Sequence, residues 1–219
     1  MIKTEWYINK TWNEKIDSNF EDHLKRARGA GNKAEFLQIQ GCCLLEHAQT
    51  NIQEVGLALL SRLLDDFPAE YSSVIVAQEK MGDYYLRHAQ YEKAVQYFTI
   101  VNNYCAVQNS RSGTSTITDL KLAEAILNSN KEDKLGEAYN LVINYPQPLL
   151  KFTAVKYYYA ELAAHICDAM DKKEEATSFA KSGLALLKMS TVPLNTIIST
   201  TNKKQTSLKL RTISEISIT

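Results

Sequence analysis

The chain is poor in glycine and proline and carries no net charge. Its 219 residues include only 8 glycines and 4 prolines, which is few for an all-β protein with many tight turns. Lys plus Arg equals Asp plus Glu at 25 each. This balance argues against a polybasic protein that binds nucleic acid directly and against an acidic chain that stays unfolded. With 45% hydrophobic residues, the composition favours an all-α protein with a core of its own.

Long apolar runs are also missing. No stretch approaches the ~18 consecutive apolar residues of a membrane helix, and residues 1–10 lack the apolar segment of a signal peptide. The four cysteines, Cys42, Cys43, Cys105 and Cys167, lie at uneven spacings inside apolar helical patterns. That placement is typical of reduced, buried thiols rather than of a disulfide framework. We therefore expect a cytoplasmic protein that does not contact a membrane.

Helical periodicity dominates the sequence. Apolar residues recur at positions i, i+3, i+4 and i+7 before residue 200, which predicts helices. Gly29 and Gly31 are expected to end the first helix, and Thr50 is expected to cap the third. A polar loop is predicted at 109–115. The predicted helices are residues 18–28, 33–48, 51–66, 70–88, 90–106, 119–128, 132–145, 153–170 and 173–188. The short connections between them imply antiparallel neighbours.

An internal repeat is visible in the small residues on the second helix of each pair. Gly56, Ala94, Ala138 and Ala176 follow one another at intervals of 38, 44 and 38 residues. The longer interval contains the polar loop at 109–115, which is consistent with one insertion in a regular array. A helix pair alone cannot bury its apolar face, so we expect the pairs to stack.

The second pair carries a specific motif. Met81-Gly82 is followed by Tyr85, and Ala94 is followed by Phe98 four residues later. Two small residues twelve positions apart let two helices cross closely, and the aromatic rings fill the space beside the crossing. This pattern resembles the tetratricopeptide repeat, in which a small residue and then an aromatic lie on each helix.

The resemblance extends over residues 33–188, and it is strongest in the second pair. Other positions that fit are Gly56, Leu60 and Pro68 in the first pair, and Ala164, Cys167, Ala176 and Ala180 in the fourth. The register of the third pair stays open. The resemblance implies an all-α, right-handed αα-superhelix (solenoid) of about four antiparallel helix pairs. Residues 1–32 are expected to form an N-terminal helical cap. Residues 189–219 are expected to form a polar tail, poorly ordered or with a short edge strand, because 12 of the last 30 residues are Ser or Thr.

The resemblance also implies a binding surface, since proteins of this family hold a protein or peptide on the concave face formed by the first helix of each pair. The register from Gly82 and from Ala164 assigns eight residues to that face: Glu79, Asp83, Leu86, Arg87, Tyr158, Glu161, His165 and Asp168. The family's clamp for a C-terminal carboxylate uses lysines and asparagines, whereas Glu79, Asp83 and Glu161 stand here. A partner with a basic contact region is therefore expected.

Catalytic and cofactor motifs are missing from the sequence. It contains no G-x-S-x-G, no Walker A and no G-x-G-x-x-G. Cys43 with His47, and His165 with Cys167, are pairs of possible metal ligands, but a stable zinc site needs about four ligands in closed geometry. Backbone N–H groups at 110–113 form a possible anion site, and the alternative is an ordinary loop between repeats. We expect no metal, no cofactor and no enzymatic activity.

Two runs of tyrosine, at 84–85 and 157–159, are open to two interpretations. Neighbouring residues of a helix point about 100° apart, so one tyrosine packs while the next faces outward. The outward one is either an ordinary surface residue or a contact for a partner.

Three functions remain open at this point. The chain is expected to be a non-catalytic adaptor that binds a cellular protein. The alternative is a stand-alone inhibitor, such as an immunity or antitoxin-like protein that blocks one cognate toxin or enzyme. A regulatory sensor that binds a peptide or a nucleic-acid-binding protein is the third.

Overall fold

Helices make up most of residues 6–189, the part of the chain that the computed structural model describes. Within that part there are nine α-helices, two short 3-10 turns and no strand. The α-helices are α1 (Glu14–Arg26), α2 (Ala30–Leu45), α3 (Thr50–Asp66), α4 (Tyr71–Arg87), α5 (Tyr91–Gln108), α6 (Thr118–Asn128), α7 (Leu135–Ile143), α8 (Thr153–Ala169) and α9 (Lys173–Met189). The 3-10 turns, Glu132–Lys134 and Gln147–Leu149, precede α7 and α8. The all-α prediction is confirmed for these residues. None of the helices among them combines the length and apolar character that a membrane crossing requires.

The first two helices begin earlier than the periodicity predicts. Helix α1 begins at Glu14, four residues before the predicted start at position 18. Asn13 caps it there, because its side chain accepts the Ile16 N–H at 3.0 Å. Gly29 does not end the first helix as predicted: α1 ends at Arg26 with Ala27 as its C-cap, and Gly29, with a φ of +80°, is the N-cap residue of α2. Gly31 does not break the chain, because it lies inside α2. The predicted boundary at residue 32 therefore falls within α2.

The start of α3 also differs from the prediction. Thr50 is the first residue of the helix, and Gln49 occupies the N-cap position without a side-chain cap bond. The turn is instead closed by its neighbours: Gln53 Nε2 donates to the His47 carbonyl oxygen at 2.7 Å, and the Gln49 N–H donates to His47 Nδ1 at 3.0 Å. At the other end of the chain, the predicted tail at 189–219 lies outside the described residues, apart from the last helical position.

The chain forms two compact units. Within residues 6–189, the first comprises residues 6–88 together with Gln96–Ser115, and the second comprises Ala89–Val95 and residues 116–189. In the first unit α2 packs on α3, and both pack on α4. In the second unit α6, α7, α8 and α9 pack in succession, and α6 also packs on α8. In each unit, therefore, a helix contacts both the next helix and the next but one.

Two glycines allow α2 and α3 to approach closely in the first unit. A Cβ added to Gly56 of α3 would lie 2.8 Å from the carbonyl oxygen of Gly41 and 3.0 Å from the nitrogen of Leu45, both in α2. A Cβ on Gly41 would lie 2.6 Å from Leu60 Cδ2. Neither position has room for a side chain, so the two glycines bring the helix backbones together.

The N-terminal segment is packed against α1 and α2. The Trp6 ring lies 5.3 Å from the Phe20 ring and 4.7 Å from the Phe36 ring. Gln40, fully buried in α2, accepts the Asn9 backbone N–H at 2.8 Å and donates to the Asn9 carbonyl oxygen at 2.8 Å. One buried amide thus pairs both backbone groups of an irregular segment, which meets the requirement that buried polar groups be hydrogen-bonded.

The small and aromatic residues singled out in the second pair are packed together. Phe98 is fully buried, and its ring packs directly on Gly82. A Cβ added to Gly82 would lie only 2.7 Å from Phe98 Cε1. Tyr85 stacks on Tyr97 with ring centroids 5.5 Å apart. In the second unit, α8 and α9 meet in one buried cluster: Ala164, Cys167, Ala176 and Ala180.

Candidate functional site

Glu79 is the first of the predicted binding residues, and the structure places it in the interior. Its side chain is only 5% exposed, and Oε2 accepts the Ser115 backbone N–H at 2.9 Å. The end of the polar loop at 109–115 is therefore held against α4 by this carboxylate. Glu79 performs a structural task within its own unit, which the helical register did not predict.

The other three predicted residues of the first unit lie at the end of α4. Arg87 donates from Nη2 to the Leu45 carbonyl oxygen at 3.3 Å and pairs with Glu46 at 3.4 Å. Asp83 lies 4.0 Å from Lys80 Nζ, and Leu86 is half-buried. Arg87 thus links the C-terminal ends of α4 and α2. Its positive charge lies beside the Leu45 carbonyl at the C-terminus of α2, where a cation is favourable.

The polar loop is built from internal hydrogen bonds. The Ser110 N–H donates to the Cys105 carbonyl oxygen at 3.1 Å, and the Ser112 N–H donates to Ser110 Oγ at 3.1 Å. Thr114 Oγ1 donates to the Arg111 carbonyl oxygen at 3.0 Å. Two of the four N–H groups at 110–113 are used inside the loop, which favours the ordinary loop over an anion site.

A cleft opens between α6 and α8 in the second unit. It has a volume of about 330 Å³, which is at the small end of the range for ligand-binding pockets, ~300–1,000 Å³. Three of the predicted binding residues line it. Its full lining is Glu124, Leu127, Asn128, Asn130, Tyr158, Glu161, Leu162 and His165.

Two buried carboxylates from different helices face this cleft. Glu124 of α6 is 8% exposed and Glu161 of α8 is 6% exposed. Tyr158 joins the helices, because its hydroxyl donates to Glu124 Oε2 at 2.7 Å. Asn128 Nδ2 donates to the Glu124 carbonyl oxygen at 2.9 Å, which directs the amide nitrogen toward the helix backbone. The polar part of the lining thus combines two carboxylates with the Tyr158 hydroxyl, the His165 ring and two amides, while Leu127 and Leu162 supply the apolar part.

The tyrosine run of α8 divides between the two sides of the helix. Tyr158 is half-buried and faces the cleft, whereas Tyr157 and Tyr159 are buried. Tyr157 packs beside Gly183 of α9. Burial, with the nearby Glu161 carboxylate as a smaller cause, raises the pKa of Tyr157 well above its usual value, so this phenol stays protonated.

Asp168 and Cys167 lie apart from the cleft lining. Asp168 pairs with Lys173 Nζ at 2.8 Å, near the end of α8. His165 lines the cleft, while Cys167 lies in the cluster between α8 and α9, so the two possible metal ligands face different neighbours. Within the described residues 6–189, no three His, Cys, Asp or Glu side chains form a group that could hold a metal.

A second polar network surrounds Cys167. Lys172 Nζ lies 3.7 Å from the centroid of the Tyr139 ring, and the Tyr139 hydroxyl donates to Glu175 Oε2 at 2.8 Å. That hydrogen bond is the main reason why the pKa of Glu175 is lowered. Burial, with the Glu175 carboxylate as the second cause, raises the pKa of Cys167 to about 11. The thiol is protonated near neutral pH and is a poor nucleophile.

Sequence reasoning missed Glu124, although a signal for it exists. The buried polar residues of α2, α4, α6 and α8 include Gln40, Glu79, Glu124 and Glu161, at intervals of 39, 45 and 37 residues. These intervals follow the repeat of the small residues within one position. Glu124 therefore matches Glu79 and Glu161 in spacing along the chain and in burial.

Comparisons of the chain with protein-family models, with curated proteins and with solved structures find no match.

Proposed function

We propose that the chain is a non-catalytic protein-binding scaffold of the helical-repeat kind, and that the cleft between α6 and α8 is its contact site for a partner. The scaffold is a solenoid of helix pairs. This arrangement is supported by the packing of α2 on α4 and of α6 on α8, since first helices of successive pairs meet in such arrays. The tetratricopeptide-like motifs at Gly82–Phe98 and Ala164–Ala176 support the same architecture.

The observation that carries the binding proposal is the pair of buried carboxylates at one open cleft. Carboxylates that border an opening favour the approach of positively charged groups. A site that keeps Glu124 and Glu161 at the same opening is suited to a partner that brings positive charge. The partner is therefore a protein with a basic contact region.

The test is affinity capture with matched variants. Wild-type protein, the double variant Glu124→Gln with Glu161→Gln, and the control Glu137→Gln are used as baits in lysate of the native host. Glu137 is exposed on the outer helix α7, so its variant removes a charge outside the cleft. Captured proteins are compared by quantitative mass spectrometry after circular dichroism has shown equal helicity.

A partner that wild type and Glu137→Gln retain, and that the double variant loses, supports the proposal. Equal retention of every captured protein by all three baits contradicts the cleft as the contact site.

An inhibitor is the second candidate function, and the acidity of the cleft favours it over the regulatory sensor. Buried carboxylates presented at an opening are able to occupy the position of an anionic substrate in a cognate enzyme or toxin. Adding the purified chain to a captured enzyme separates the two functions. An inhibitor abolishes the enzyme's activity at one equivalent, whereas an adaptor leaves that activity intact.

A further inference from the structure

The N-terminal segment, residues 6–13, contacts the helices of its own unit in the way that a bound peptide would. Gln40 of α2 accepts the Asn9 backbone N–H and donates to the Asn9 carbonyl oxygen, both at 2.8 Å. Asn9 Nδ2 adds a third bond, to Gln40 Oε1 at 2.9 Å. In peptide recognition, main-chain hydrogen bonds of this kind supply affinity, and contacts of the neighbouring side chains supply specificity.

Two adjacent aromatic rings supply the apolar part of this contact. The Trp6 ring stacks on the His23 ring with centroids 5.0 Å apart, and it lies 4.7 Å from the Phe36 ring. The Tyr7 ring lies 4.8 Å from the same Phe36 ring. Ile8, the next residue, is exposed. The segment therefore presents two aromatic side chains and one pair of backbone groups to α1 and α2.

The groove below the segment is built by the helices. Gln40 is fully buried, and it is followed in α2 by Gly41, whose backbone lies against Gly56 of α3. Helix α2 also packs on α4. The floor of the groove thus belongs to the closely packed part of the unit.

The segment itself is held less firmly than this floor. It is not helical, and its three aromatic residues, Trp6, Tyr7 and Trp12, are half-buried. Segments with fewer buried contacts open locally before packed helices do. When residues 6–9 lift away, the Gln40 amide loses the backbone groups that satisfy it. A buried amide without partners is costly, so the open groove favours another segment that offers an N–H and a carbonyl group.

We propose that this groove between α1 and α2 is a second protein-binding site, which the N-terminal segment occupies as a tethered ligand until a segment of a partner protein replaces it. The partner's segment is not helical and carries two adjacent aromatic residues. Its backbone pairs with Gln40 two positions after the second of them, as Asn9 follows Tyr7. The groove belongs to the first unit, and its occupation does not require the cleft of the second unit.

The test uses the segment's own sequence as the probe. The peptide Trp-Tyr-Ile-Asn-Lys-Thr-Trp-Asn, acetylated and labelled with fluorescein at its C-terminus, is titrated with the full chain, and fluorescence anisotropy measures binding. In wild type the tethered segment competes with the peptide. Trp6→Ala loosens that segment and raises the fraction of open grooves, so it is expected to bind the peptide at least about tenfold more tightly than wild type.

Two further variants accompany Trp6→Ala. Tyr7→Ala removes a single ring contact and is expected to shift binding in the same direction, which keeps the test valid if Trp6→Ala loses helicity by circular dichroism. Tyr71→Ala is the matched control, because it removes an aromatic ring that is 66% exposed at the start of α4. It is expected to bind the peptide as wild type does.

Altered peptides identify the groups that are recognised. Methylation of the backbone nitrogen at the first asparagine, which corresponds to Asn9, removes the donor to Gln40 and is expected to weaken binding by about tenfold. Replacement of the adjacent tryptophan and tyrosine by alanine is expected to abolish saturable binding.

Three results overturn the proposal. The first is that the variants of Trp6 and Tyr7 bind the peptide no more tightly than wild type does. The second is that the N-methylated peptide binds as tightly as the unmodified one. The third is a wild-type dimer at the concentrations of the titration that Gln40→Leu abolishes, because the groove would then hold the segment of a second copy instead of a partner protein.

Discussion

The crossing of α2 and α3 gives the sharpest stability prediction, because identical substitutions at two glycines of one unit should have opposite signs. Gly56→Ala adds a Cβ that would lie 2.8 Å from the Gly41 carbonyl oxygen, whereas ordinary Cβ contacts begin at 3.4 Å. The clashing atoms belong to helix backbone, which cannot rotate away. Gly31→Ala is the control, since its Cβ would meet only the end of the flexible Glu70 side chain, at 3.3 Å.

The expected magnitudes follow from two opposing effects. Alanine regains about 1 kcal/mol of helix propensity over glycine. Overpacking costs about 1–3 kcal/mol, and a rigid backbone contact places Gly56→Ala near the upper value. The free energy of unfolding is therefore expected to fall by about 2 kcal/mol for Gly56→Ala and to rise by up to about 1 kcal/mol for Gly31→Ala.

Tryptophan fluorescence is the appropriate assay. The chain has 2 tryptophans, and both Trp6 and Trp12 pack on the core of the first unit, so their emission reports on that unit. With a urea slope of about 2 kcal/mol per molar, a loss of 2 kcal/mol lowers the midpoint by about 1 M. If Gly56→Ala instead raises the midpoint as Gly31→Ala does, the two helix backbones do not meet at Gly41 and Gly56.

Three further predictions address other parts of the chain. Gln40→Leu should cost about 2–4 kcal/mol in urea unfolding, because both backbone groups of Asn9 lose a buried partner, and it should speed proteolysis of the N-terminal segment. Phe98→Ala should cost about 3–5 kcal/mol by leaving a cavity over Gly82, and an unchanged urea midpoint would exclude that packing. The Cys167 thiol should be alkylated slowly at pH 8 and faster toward pH 11, because its raised pKa of about 11 keeps it protonated; peptide mass spectrometry in native buffer and in urea measures both rates.

Hydrophobic periodicity was sufficient to locate the helices. All nine predicted helices are present among residues 6–189, and the small residues at Gly56, Ala94, Ala138 and Ala176 are all buried. These features depend on burial of one helix face, which repeats every few residues and is legible in one sequence. The starts of α1 and α3 depend instead on individual hydrogen bonds: one to the Asn13 side chain at α1, and two that involve His47 at α3. Propensity alone does not decide between such caps.

The candidate site was predictable only in part, because the helical register says which side a residue faces but not what covers that side. Tyr158, Glu161 and His165, which the register assigns to one face of α8, all line the cleft. Glu124 was missed because the third pair has Leu127 where the second and fourth have Gly82 and Ala164. Without a small residue at that position, the motif gives no register for α6. The buried carboxylate, rather than the small residue, is the feature that repeats there.

The contrast between Glu79 and Glu161 shows what decides the role of an equivalent position. Both occupy the same register on the first helix of a pair, and both are buried. The interval of 44 residues between Ala94 and Ala138 contains the polar loop at 109–115. The last residue of that loop, Ser115, donates its N–H to Glu79. Glu161 instead borders the cleft between α6 and α8. Two buried carboxylates, each three residues before a small residue of its helix, thus have different surroundings: Glu79 anchors a loop of its own unit, and Glu161 lies beside an opening. The helical spacing is the same in both cases, so the surroundings that decide the role come from the connections and not from the helix itself.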